Sequence, residues 1–152
     1  MELKANILRI ERLSLSDGKG MRTVVFFKGC PLRCAWCSTP ESQSGQREVY
    51  YMKERCTGCG ACIQVCPEQA LRRSEKTGEI VRDYSSCKQC FQCVDACNYR
   101  AQQIYGKEMT VKEVMREIQK DEMFFFYSGG GVTLSGLSLI HISEPTRRVV
   151  IS

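Results

Sequence analysis

Apolar and polar positions alternate loosely over residues 5–12, which predicts a strand. Ser16-Asp17-Gly18 follows as a turn signal. Thr23-Val24-Val25-Phe26-Phe27 is a continuous β-branched and aromatic run and predicts a strand buried on both faces, as in a parallel sheet. The run stops at Lys28-Gly29, and residues 38–46 read as a polar, turn-rich loop. Val49-Tyr50-Tyr51-Met52 predicts a short strand. Between residues 56 and 97 the periodicity fades and large apolar side chains become sparse. Thr110-Val111-Lys112-Glu113 is a capping box, and Val111, Val114, Met115 and Ile118 recur at helical spacing. A helix is expected over about 111–121, with that stripe packed in the core. Phe124-Phe125-Phe126-Tyr127 is apolar without a decisive period. Ser128-Gly129-Gly130-Gly131 reads as a glycine loop, and Val132-Thr133-Leu134 as the start of another buried strand.

The chain has 152 residues, 43% of them hydrophobic and 26% charged, which excludes a wholly disordered chain. No apolar run is long enough to cross a bilayer. The first residues, Met1-Glu2-Leu3-Lys4-Ala5-Asn6, lack a secretory signal pattern. Eleven cysteines change the picture. An odd number cannot all pair within one chain, and their spacing is tighter than a disulfide framework needs. A reducing cytoplasm, with thiolates committed to metal, is the expectation.

The cysteines fall into three sets. Cys56, Cys59, Cys62 and Cys66 follow C-x2-C-x2-C-x3-C, and Cys87, Cys90, Cys93 and Cys97 repeat it 31 residues later. This is bacterial ferredoxin spacing, in which the fourth cysteine of each run serves the other cluster. One [4Fe–4S] cluster is therefore expected on Cys56, Cys59, Cys62 and Cys97, and a second on Cys87, Cys90, Cys93 and Cys66. Pro67 follows Cys66 as the pattern expects, whereas Asn98 follows Cys97. Gly58 and Gly60 leave the backbone free to wrap a cluster. A pair of zinc sites is the alternative, but zinc sites rarely use the doubled spacing. Cys30, Cys34 and Cys37 supply only three thiolates, in C-x3-C-x2-C spacing. A cubane held by three cysteines leaves one iron open for a substrate or cofactor. Trp36 either flanks a bound ring there or fills the core. The formal charge of +5 matches about −5 from three such clusters with their thiolates, so nucleic acid is not an expected partner.

Leu137-Ser138-Leu139-Ile140-His141-Ile142-Ser143-Glu144-Pro145-Thr146-Arg147 resembles the translation of a sequencing-library adaptor at every position. Residues 137–152 are therefore expected to be a read-through tail, and the preceding chain a fragment cut at Gly136. His141 and Val149-Val150-Ile151 then have no assigned role.

Gly29-Cys30-Pro31-Leu32-Arg33-Cys34-Ala35-Trp36-Cys37 resembles the signature of radical S-adenosylmethionine (SAM) enzymes. The wider string from Asp17-Gly18-Lys19-Gly20-Met21-Arg22 through Cys34 resembles the glycyl-radical-enzyme activating proteins, relatives of the pyruvate formate-lyase activating enzyme. Tyr127-Ser128-Gly129-Gly130-Gly131-Val132-Thr133-Leu134-Ser135-Gly136 also fits, and the eight-cysteine run matches the branch with a two-cluster ferredoxin-like insert. Lys19 stands where many relatives have Pro.

The resemblance covers residues 1–136. It implies an α/β fold, the N-terminal part of an open (β/α) barrel. Residues 1–50 would begin the barrel, 51–100 would form the insert, and 101–136 would continue the barrel. By the same resemblance the Cys30, Cys34 and Cys37 cluster binds SAM, with Trp36, Cys37 and Ser38 in the contacting stretch. Gly136 would open the Gly-Gly-Glu element that meets the SAM amino group. Here Leu137-Ser138-Leu139 replaces the expected Gly-Glu-Pro, which puts SAM binding by this chain in question. The implied reaction is reductive cleavage of SAM to a 5′-deoxyadenosyl radical that takes a hydrogen atom from a glycine of a partner enzyme. Reduced flavodoxin or ferredoxin would supply the electron. The insert clusters would relay electrons or staple a docking surface. The alternative reading is a ferredoxin-type electron carrier, which explains eight cysteines and leaves three without a role.

Overall fold

The computed structural model describes residues 2–136. The expectations for Leu137–Ser152, His141 included, lie outside the described residues. The chain divides into two compact units: residues 1–46 with the chain from Gly106 onward, and Arg47–Tyr105. Together they make a mixed α/β structure.

The first unit is built on a four-stranded sheet of order β7-β1-β2-β8. Its strands are β1 (Lys4–Ser14), β2 (Arg22–Phe27), β7 (Lys107–Thr110) and β8 (Gly131–Ser135). The run at Thr23–Phe27 is indeed a buried strand, with Thr23, Val24 and Val25 wholly inaccessible. Its surroundings are mixed rather than parallel. β2 runs antiparallel to β1 and parallel to β8, with Arg22 opposite Gly131 and Phe26 opposite Ser135. The covered faces, rather than strand direction, account for the unbroken apolar run. β8 is less buried than its sequence predicts, because Leu134 faces outward.

Helix α3 (Val111–Gln119) starts where expected, and both halves of the capping box form. Glu113 donates its backbone N–H to Thr110 Oγ1 at 3.2 Å, and its carboxylate accepts the Thr110 N–H at 2.8 Å. The apolar stripe is only half core. Ile118 is buried and packs with Val114 against Ile7, Val25 and Met109, while Val111 and Met115 are exposed. Val114 and Ile118 share the inward line four residues apart, and Val111 and Met115 lie along its flank. Phe124–Tyr127, ambiguous by pattern, belongs to a second helix, α4 (Glu122–Ser128). Phe125 packs in the core, whereas Phe126 and Tyr127 are exposed.

Between these helices sits Asp121, a fully buried carboxylate. It accepts Nε and a second guanidinium N–H from Arg12 on β1, and Thr23 Oγ1 on β2 donates to it at 2.7 Å. One side chain thus ties the α3–α4 corner to two neighbouring strands. The Arg12 contact, opposed by burial, holds the Asp121 carboxyl below its ordinary pKa.

Glycine is required where two loops meet. A Cβ on Gly130 would land on the Met21 carbonyl, and one on Gly20, at φ +71°, would strike the backbone of Ser128 and Gly130. The two glycine-rich strings therefore pack backbone against backbone. The Ser128 hydroxyl seals the contact by accepting the Met21 N–H at 2.9 Å.

The second unit has two two-stranded sheets and two one-turn helices. β3 (Glu48–Tyr51) pairs antiparallel with β6 (Gln102–Tyr105), and β4 (Leu71–Arg73) with β5 (Ile80–Arg82). Tyr50 and Tyr105 stack with ring centroids 3.8 Å apart. Helices α1 (Ala61–Gln64) and α2 (Gln92–Asp95) each carry the third cysteine of a run. The 31-residue repeat extends to the backbone. Gly58, Gly60 and Gln69 have positive φ, and so do Gln89, Phe91 and Arg100. Gln89 and Phe91 accept a conformation that glycine adopts without strain, and their side chains have work there. Gln89 Oε1 accepts the Val49 N–H at 2.9 Å, and Phe91 packs on the core beneath the Arg47 guanidinium. Among the described residues, no helix is long and apolar enough to cross a membrane.

Asp121→Asn is expected to destabilise the first unit by about 2 kcal/mol, the scale for buried hydrogen-bonding groups deprived of a charged partner. A urea midpoint at pH 7 checks this. Because the folded pKa is depressed, the carboxylate's stabilisation is fully present above the unfolded aspartate value of about 4. It declines as pH falls through the folded value, and the Asn variant should lack that decline.

Candidate metal centres

The eight cysteines of the second unit separate into two cavities, and the fourth cysteine of each run crosses over. The first cavity is lined by Cys56, Cys59, Cys62 and Cys97, with Tyr51 and Gln102 beside them. The second is lined by Cys66, Cys87, Cys90 and Cys93, with Arg82 and Phe91. Among the described residues, no three His, Cys, Asp or Glu side chains converge as the ligands of a single ion would. All eleven cysteines are free thiols.

The cavity walls explain the grouping. α1 and α2 turn Cys62 and Cys93 inward, where both are buried in one apolar cluster with Val49, Leu71 and Ile80. Cys59 and Cys90 lie at the exposed rims. Backbone N–H groups point at sulfur: Gly58 donates to Cys56 Sγ at 3.4 Å, and Ala101 to Cys97 Sγ at 3.2 Å. Burial pushes the Cys62 thiol up, and the neighbouring Cys97 and Cys56 add to the effect. Four thiols so crowded are ionised together most readily around a polycationic core. Burial first, and then the nearby Cys56 thiol, push the Tyr51 phenol up to about 12, so the side chain lining the first cavity is uncharged. The four-thiol donor sets, each with N–H donors aimed at sulfur, fit an iron–sulfur cluster in each cavity.

At the second cavity the donor is charged. Arg82 reaches Cys87 Sγ at 3.2 Å and Cys93 Sγ at 3.5 Å. Its Nη2 also donates to Gln102 Oε1 at 2.7 Å, and Gln102 Nε2 lies 4.0 Å from Cys62 Sγ. Burial opposes the Arg82 charge, but the contacts with Cys93 and Cys87 outweigh it and raise its pKa. Sequence reasoning missed Arg82, Gln102 and Tyr51. The only available signal was register: Tyr51 and Arg82 lie 31 residues apart, each five residues before the first cysteine of its run.

Cys30, Cys34 and Cys37 lie in the first unit, on the loop leaving the C-terminal end of β2. The loop is clamped at its neck. Gly29 and Cys30 both donate backbone N–H to the Ser42 carbonyl, at 2.7 and 3.1 Å, and Lys28 Nζ donates to the Glu41 carbonyl at 2.6 Å. Within the loop the Cys37 N–H reaches the Cys34 carbonyl at 3.2 Å. The cysteines are half-buried, and Ser38 is exposed. Trp36 is 86% exposed, so among the described residues it fills no core. Gly136 ends β8 at φ +87°, where a Cβ would strike the Phe27 backbone three residues before Cys30. Thus Gly136 and the start of the three-cysteine loop both lie at the C-terminal end of the parallel β2–β8 pair, the edge at which α/β sheets place ligands.

Residues 48–98 match the family model of a 4Fe-4S dicluster domain, which defines the second unit as an iron–sulfur module. The whole chain has relatives. It is 43% identical to the benzylsuccinate synthase activating enzyme of Thauera aromatica over 146 residues, which are 94% of this chain and 44% of that protein. It is 45% identical to the trans-4-hydroxy-L-proline dehydratase activating enzyme of Clostridioides difficile over 130 residues, 86% of this chain and 42% of that protein. Identity to the choline trimethylamine-lyase activating enzyme of Oleidesulfovibrio alaskensis is 43% over 139 residues, 90% of this chain and 44% of that protein. Over most of its length the chain is similar to activating enzymes of glycyl radical enzymes, and it spans under half the length of these curated relatives.

The grouping around the first cavity predicts that Cys97→Ala disturbs the centre of the first run. Cluster-selective spectroscopy of the iron-loaded protein should show the Cys56, Cys59 and Cys62 centre altered and its twin intact. Selective loss at the Cys87, Cys90 and Cys93 centre would contradict the crossing.

Proposed function

We propose that this chain is the cluster-bearing part of an activase that cleaves SAM reductively and installs a glycyl radical on a partner enzyme. The observation that supports this reading is that the clamped three-cysteine loop and Gly136 both leave the sheet at the C-terminal end of the parallel pair β2 and β8. Cys30, Cys34 and Cys37 would hold a [4Fe–4S] cluster whose fourth iron is open. When bound, such a cluster supplies one-electron reduction of the SAM sulfonium and anchors its amino and carboxylate groups. The protein's own residues bind and orient. The Ser42 carbonyl and the Lys28–Glu41 contact fix the loop's neck, so the three thiols are presented from a rigid base. Trp36 and Ser38 stand in the stretch available to the SAM adenosyl moiety, and Gly136 leaves the backbone approachable for its amino group. Only the parallel β2–β8 pair, with α3 and α4 in the chain between its strands, is what an open (β/α) barrel would share with this sheet.

Cys56, Cys59, Cys62 and Cys97 would hold a second [4Fe–4S] cluster, and Cys66, Cys87, Cys90 and Cys93 a third. A reduced flavodoxin or ferredoxin is the proposed electron donor, a glycyl radical enzyme the partner, and the cytoplasm the compartment. The carrier reading accounts for Arg47–Tyr105 and leaves Cys30, Cys34 and Cys37 without a task.

In a full-length activase carrying residues 2–136 of this chain, Cys37→Ala is expected to abolish 5′-deoxyadenosine release by dithionite-reduced protein supplied with SAM. Both centres of the second unit should keep their iron. An unchanged yield would overturn the assignment. In the same protein, Cys34→Ala should also stop SAM cleavage, an effect a simple carrier has no reason to show.

A further inference from the structure

The internal repeat makes each cavity of the second unit a control for the other. Equivalent positions lie 31 residues apart, so Cys56 corresponds to Cys87, Cys62 to Cys93, and Tyr51 to Arg82. In both cavities the residue five before the run stands at the cavity of its own run: Tyr51 lines the first with Cys56, and Arg82 lines the second and donates to Cys87. The repeat therefore puts a neutral phenol and a cationic guanidinium in the same place. The donors to sulfur at the first cavity are also neutral: the Gly58 and Ala101 N–H groups and the Gln102 amide. Arg73, the arginine beside the first cavity, spends a guanidinium N–H on the Gly58 carbonyl. Arg82 reaches two sulfurs and is held in place by Gln102 Oε1.

We propose that Arg82 is a potential-setting residue, which places the reduction potential of the Cys66, Cys87, Cys90 and Cys93 centre above that of the Cys56, Cys59, Cys62 and Cys97 centre. The inference rests on the reading that both cavities hold [4Fe–4S] clusters. One-electron reduction takes such a cluster from 2+ to 1+, and with four thiolates from a net charge of about −2 to −3. The electron comes from a low-potential one-electron donor, which is oxidised in turn. Arg82 stays protonated in both states. Its fixed positive charge and its N–H···S bonds stabilise the more negative state, and a reduced cluster so favoured has the higher potential. The pair is then asymmetric, and an electron entering the unit rests at the Arg82 side.

The test is an EPR-monitored potentiometric titration of the full chain, loaded anaerobically with iron and sulfide and reduced with dithionite. The couple of the three-cysteine loop is identified by its loss in Cys34→Ala. In the wild-type chain, two further couples with separate potentials are expected. Arg82→Tyr should lower the higher couple until the ratio of reduced to oxidised centre at a fixed potential falls at least about tenfold, or about 59 mV for one electron. The other couple should hold still. Arg82→Lys, which keeps the charge but loses the fork, should fall by less. Tyr51→Arg should raise the lower couple. Unmoved potentials at full iron content would overturn the proposal. So would loss of iron from both Arg82 variants, because the residue would then serve only to build the centre. A wild-type chain without two reducible centres in Arg47–Tyr105 would overturn the underlying cluster reading, and the proposal with it.

Discussion

Sulfur stands in for hydrocarbon in the second unit, and the arrangement of that unit follows from it. Cys62 and Cys93 are buried in the same cluster as Val49, Leu71 and Ile80, and Cys56 and Cys66 pack against it. So short a segment buries too little apolar surface to hold itself against chain entropy. Cross-linking by a bound group is the remedy open to a small domain, since metal binding energy then becomes folding energy. The crossing of Cys66 and Cys97 adds to this. Each cavity needs thiols from both runs, so neither half of the repeat can close its site without the other.

The first unit uses a different device. Its sheet is stabilised by ordinary burial of Ile7, Val25, Met109 and Ile118, but its corner depends on polar chemistry. Asp121 is inaccessible and ionised, and it stays so because Arg12 and Thr23 converge on it from adjacent strands. The backbone contact of Gly20 with Gly130 draws the loop before β2 onto the loop before β8. Both features act on the parallel strand pair whose far end carries the three-cysteine loop and Gly136.

Much of this was legible in the residues, because the strongest signals were spacings. The doubled cysteine run proposes the same two groups of four that line the cavities, since a fixed spacing encodes a geometry. The capping box at Thr110 and Glu113 located the start of a helix for the same reason: the motif is local and states its own hydrogen bonds. What failed depended on tertiary neighbours. Nothing near Thr23–Phe27 says that one flanking strand is antiparallel, because burial on both faces produces the same apolar run either way. The stripe at Val111 and Met115 shows period but not which flank of the helix meets the sheet. Phe124–Tyr127 lacked a usable period because only Phe125 is drawn into the core. Arg82 and Gln102 were invisible as functional residues, since their importance lies in distances that only folding creates.

We propose that these eleven cysteines are the ligands of three cubane clusters. Mössbauer spectroscopy of the full chain, reconstituted anaerobically with 57Fe and sulfide, tests it most directly. About twelve iron per chain are expected, all with [4Fe–4S] parameters, and a distinct site in one cluster when SAM is bound at an open iron. A chain that saturates with mononuclear iron, or takes up zinc in preference with no acid-labile sulfide, would contradict it.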